Sequence, residues 1–137
     1  MTKRRGCYRA FFIKEAASMI AGDIVKLVNE IRPNSIPDDV KYEWLDELER
    51  KIEEDVLENF SDADRYSGVM DAYAILLAPD RAKKMYLAHL CAEIDYANGE
   101  IERYNNDAEL FTAEYDGYVK YVYRTYHHIP APRFNAL

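Results

Sequence analysis

The stretch DDVKYEWLDELERKIEEDVLEN, residues 38–59, decides the fold. Trp44, Leu48, Ile52 and Val56 recur every four positions with Leu45 alongside, which is the spacing of one helix face. Asp38 and Asp39 suit the positive end of a helix, and Ser35 or Asp38 supplies a capping oxygen. At 1.5 Å per residue such a helix is about 33 Å long. Its apolar stripe is narrow and its opposite face strongly acidic.

Upstream, Ile20, Ile24, Leu27, Val28 and Ile31 form another stripe of period 3.6, so a helix is predicted over residues 20–32 and ends at Pro33-Asn34. Downstream, the apolar run Tyr73-Ala-Ile-Leu-Leu-Ala78 reads as a strand or an extended buried segment. Pro79 suits the first turn of a third helix, striped by Tyr86, Leu90, Ile94, Ala97 and Ile101. Asn105-Asn106 predicts a helix boundary. A fourth helix is expected over 107–127, striped by Phe111, Tyr115, Tyr118, Val122 and Tyr126. Pro130 and Pro132 make residues 128–137 an extended arm. The expectation is an all-α fold: a small bundle of about four helices with a short extended segment near 73–78 and an extended C-terminal tail. Trp44, Leu48, Ile52, Leu90, Ile94 and Tyr118 are its predicted shared core.

The 137 residues suffice for about one domain. No run of 18 apolar residues occurs, so no membrane span is expected. Cys7 and Cys91 form no CxxC, which suggests a reducing cytoplasm, one long-range bridge remaining open. Charge is uneven. The net −7 conceals a basic start, with Lys3, Arg4, Arg5, Arg9 and Lys14 against Glu15. It also conceals ten acids against three bases over 38–59. Three readings stay open for residues 1–18: a broken secretory signal, a nucleic-acid-binding arm, or a non-native or disordered extension preceding a true start at Met19. The last rests on Lys14-Glu15-Ala16, whose codons can contain a bacterial ribosome-binding sequence. A helical domain over 19–127 then precedes the arm.

Chemistry is sparse. There is no phosphate-binding glycine loop and no GxSxG. The residues three before His89, His127 and His128 are Tyr86, Arg124 and Thr125, so the Glu-x-x-His pairs of a di-iron bundle are missing. His89 and Glu93 read as a surface or interface pair, and Cys91 as a core thiol. No catalytic residue, cofactor or metal ligand is assigned, and an enzyme is not expected. Tyrosine is conspicuous: seven of twelve lie between Tyr86 and Tyr123, suiting surfaces buried at one end and wet at the other.

The run LAHLCAEIDYANGEIERYNN, residues 87–106, followed by Phe111, Tyr115, Tyr118 and Arg124-Thr125, resembles the head–tail connector (adaptor) proteins of tailed bacteriophages and prophages. Ile31-Arg-Pro-Asn34, Lys41, Trp44-Leu45 and Leu48 are similar to that family's opening. The resemblance spans about residues 20–130. Residues 1–18 have no counterpart in it, and 60–72 is more acidic and less Pro-rich than the family pattern. It implies a structural protein of the virion, assembled in the bacterial cytoplasm. Such connectors form a homo-oligomeric ring of roughly twelve copies below the portal protein. The ring extends the DNA channel and meets a stopper or tail completion protein, while DNA passes without specific binding.

On that reading Glu102, Arg103, Tyr104, Asn105 and Asn106 are expected at a subunit interface. Pro130, Pro132, Phe134 and Leu137 are expected to dock on the portal or a neighbour. Glu47, Glu54 and Glu58 are expected on an acidic face that either lines the channel or points outward. The competing class is an acidic helical regulatory module, a DNA mimic or antitoxin-like partner.

Overall fold

The computed structural model describes residues 18–127. Four helices follow one another: α1 (Ala21–Ile31), α2 (Asp38–Asp55), α3 (Lys83–Ala97) and α4 (Ile101–Thr125). Short 3-10 turns occupy Leu57–Asn59 and Asp80–Ala82. The fold is the expected small all-α bundle.

α1 buries Ala21, Ile24, Val25 and Val28. Its N-terminus has no side-chain cap. Instead the extended segment around Ile75 runs antiparallel to Ile20. The Ala21 and Gly22 N–H groups donate to the Ala74 and Ala72 carbonyls at 2.8 and 2.9 Å, and Leu76 N–H donates to Met19 O at 2.9 Å. Two of the N–H groups that a helix start leaves without an intrahelical partner are thereby satisfied by a distant segment. Gly22 is required here, because a Cβ would lie 2.7 Å from the Ala72 carbonyl oxygen.

α2 starts after Pro37 with no side-chain cap; neither Ser35 nor Asp38 fills that role, and Asp38 and Asp39 act through the helix dipole. It buries Leu45, Leu48 and Ile52, with Val56 just beyond its end. Trp44 is only half-buried, so Leu45 takes the core position the sequence reading gave to Trp44. Ile24, Leu45, Ile52, Met85, Leu90 and Ile94 are all 2 % exposed or less and form the centre of the core. Tyr118 and Val122 close it from α4.

The predicted boundary at Asn105-Asn106 is not where the chain turns. α3 ends at Ala97, Gly99 takes a positive φ of 75°, and α4 begins at Ile101. Gly99 N–H donates to Tyr96 O at 3.1 Å and Glu100 N–H to Asp95 O at 2.8 Å, closing the helix end as glycine caps do. Both asparagines sit exposed inside α4, where Asn lowers helix propensity by only a few tenths of a kcal/mol. Ala97 and Ile101 accordingly lie outside the core stripe of α3.

Candidate assembly face

The α3–α4 hairpin end is sparsely covered. No residue from 101 to 110 is buried. Ile101 and Leu110 are 56 % and 45 % exposed, and Tyr96, across the turn, is 64 % exposed. Tyr104 leans on Tyr96 with ring centroids 5.4 Å apart. Glu102, Arg103, Asn105 and Asn106 are exposed around them. The five interface candidates therefore share the first two turns of one helix and do not flank a break.

Arg32, following α1, holds this hairpin in place. Its Nη1 hydrogen-bonds Asp95 on α3 and reaches Asp107 on α4 at 3.1 Å. Partial burial, reinforced by the neighbouring Asp95 carboxyl, raises the Asp107 carboxyl to about 6, with Arg32 opposing the rise.

Along the outer side of α4, Arg103, Leu110, Gly117 and Arg124 recur every seven residues and are all exposed. Seven residues fall only about 20° short of two full turns, so these four make one nearly straight stripe. At its C-terminal end lies a groove of about 250 Å³, lined by Arg81, Ala113, Glu114, Gly117, Tyr121 and Arg124. The Arg81 guanidinium sits 5.1 Å from the centroid of the Tyr121 ring, a cation–π arrangement. Neither Arg81 nor Arg124 has an ion-pair partner among the described residues.

The acids of residues 38–59 stand in different settings. Asp38, Asp46 and Asp55 pair with Lys41, Arg50 and Lys51 at 3.3, 2.9 and 2.8 Å. Glu53 accepts from the Tyr66 N–H at 3.0 Å. Glu49 turns inward and is fully buried. Glu47, Glu54 and Glu58 stay exposed without an ion pair among the described residues. The docking candidates Pro130, Pro132, Phe134 and Leu137, and the extension before residue 18, lie outside the described residues.

His89 does not form the expected surface pair with Glu93. Its Nε2 lies 3.0 Å from Trp44 O and its ring 5.6 Å from Phe111, a packing position between α2 and α4 whose burial lowers the imidazole's proton affinity. Cys91 is the expected buried thiol, pushed up to about 11 by burial. Among the described residues no group of three or more His, Cys, Asp and Glu side chains is placed to hold a metal, and no helix is long and apolar enough to cross a membrane.

Three polar networks are not evident in the sequence: Arg32 with Asp95 and Asp107, Lys41 with Asn29 and Ile36, and Glu49 with Tyr86. The last had a signal. Glu49 stands four after Leu45 and three before Ile52, on the apolar stripe itself.

No known protein family, curated protein or solved structure matches the chain.

Proposed function

We propose that this chain is a structural subunit that assembles head-to-tail into a ring below a phage portal, joining the capsid to the tail or stopper and extending the DNA channel. The observation that carries the reading is the hairpin end. Residues 101–110 form nearly three helical turns with no buried side chain, flanked by exposed Tyr96, Ile101 and Leu110. Helices in water gain most of their stability from packing a face, so a partner for this half of α4 is expected. The proposed activity is assembly in the virion, with no reaction and no cofactor. The portal and the stopper are the proposed partners.

The test is Tyr104→Ala. It removes an aromatic side chain from the patch without touching the core, so the monomer should melt as before while rings on portals fail to form. Normal rings with this variant would remove the patch from the interface. The unpaired Glu47, Glu54 and Glu58 favour a second reading, an acidic regulatory module. A tight 1:1 complex with a nuclease or repressor and no concentration-dependent assembly would decide for it.

A further inference from the structure

We propose that the Arg81–Arg124 groove is the seat for carboxylates of the Glu47–Glu54–Glu58 edge of a second copy. The proposal rests on the ring reading and adds a second contact beside the one proposed for the hairpin end. In the described part of a strongly acidic chain, this groove brings together two arginines that have no carboxylate partner. Its one acid, Glu114, forms no ion pair there, leaving a formal excess of positive charge. Arg81 is oriented by the Tyr121 ring, so less freedom is lost when it binds.

Gly117 opens the groove. A Cβ added there would meet nothing within 4 Å. A guanidinium pair of this kind matches the planar geometry of a carboxylate. On α2, Glu47 and Glu54 are exposed acids without an ion pair among the described residues; Glu102, Glu109 and Asp116 are others, but they lie on α4, the helix that lines the groove itself. Glu47 and Glu54 are seven residues apart, about 10.5 Å along the axis, and Glu58 follows in the 3-10 turn beyond the end of α2. Groove and edge are different surfaces of one chain, so their contact is heterologous and repeats from copy to copy until it closes a ring. This puts the acidic edge at the subunit boundary.

The full chain is followed by sedimentation across a wide concentration range, and by electron microscopy with portals. Arg81→Glu with Arg124→Glu should weaken association about tenfold or more, and so should Glu54→Arg with Glu58→Arg. An equimolar mixture of the two charge-reversed proteins should assemble again, because each groove then faces an edge of opposite sign. Gly117→Leu fills the groove from an exposed helical position. It should weaken association without lowering the melting midpoint, which separates docking from folding.

Wild-type assembly with undiminished assembly of the arginine variant overturns the groove and leaves the ring reading standing. A wild-type chain that stays monomeric, alone and with portals, overturns both. Salt-sensitive binding of duplex DNA that the arginine variant loses would assign the groove to phosphate and overturn the carboxylate proposal.

Discussion

The Tyr86 hydroxyl donates a hydrogen bond to Glu49 Oε1 at 2.6 Å, inside the core. Leu77 N–H donates to Glu49 Oε2 at 2.7 Å, and Ala78 N–H donates to the Tyr86 oxygen at 3.0 Å. One carboxyl thus ties α2, α3 and the extended segment together. Those donors suit an ionised carboxylate, while burial favours the protonated form, and burial dominates: the group is pushed up to about 7.

Stability should therefore fall as pH rises through neutrality. Glu49 binds its proton more tightly folded than unfolded, so its contribution is fully present below about pH 4.5 and lost as pH passes about 7. At about 1.4 kcal/mol per pH unit of difference, the loss is on the order of 3 kcal/mol. Asp107, raised to about 6, works in the same direction. Denaturant titrations between about pH 5 and 8 should show this slope, and Glu49→Gln should flatten it. An equal slope in the variant would exclude Glu49 as its source.

Gly22→Ala should destabilise by about 1–3 kcal/mol, because the new methyl meets backbone that has no room to move aside. Segment 72–76 should exchange its amide hydrogens faster in this variant. Unchanged exchange would mean that the segment is held by Glu49 alone.

Arg32→Ala leaves the buried Asp95 carboxylate without its cation. The expected loss is about 3–5 kcal/mol, by thermal or chemical unfolding. Adding Asp95→Asn should recover part of it, since the double variant removes the more buried of the two carboxylates that Arg32 meets. A double variant no better than the single would argue that Arg32 acts by packing.

Leu90→Ala should cost about 2–5 kcal/mol, since Leu90 of α3 is fully buried in the core. An unchanged midpoint would be incompatible with this core.

The helices were legible because apolar spacing and burial obey the same geometry. The Leu48–Ile52–Val56 and Leu90–Ile94 stripes are buried as their periods require. The hairpin turn was misplaced because Asn105-Asn106 looks like a stronger breaker than Asn98-Gly99. Only Gly99 sits where the backbone needs a positive φ, and local composition does not reveal that. In the sequence Glu49 and Lys41 are two charges among the thirteen of residues 38–59. Lys41 in fact points its Nζ inward to Asn29 Oδ1 and Ile36 O, at 2.6 and 2.8 Å. Buried charges are legible only through their partners, and those partners are distant in sequence: Asn29 lies in another helix, Tyr86 37 residues from Glu49. The cluster Glu102 to Asn106 was legible because its members are adjacent in sequence. The Arg81–Arg124 groove was not, because 43 positions separate its two arginines.

The pairing of residues 19–22 with 72–76 bears on the order in which the chain folds. α3 and α4 are neighbours through a tight turn, so their hairpin closes a short loop and can form within microseconds. The Ile20–Ile75 pairing must close a loop of more than fifty residues before any of its hydrogen bonds form. Residues beside Leu90 and Tyr118 should therefore be structured in the transition state, with mutational φ-values well above those at Gly22 and Leu76. The clasp at the start of α1 is then the last part to lock, and its release is the first step of unfolding.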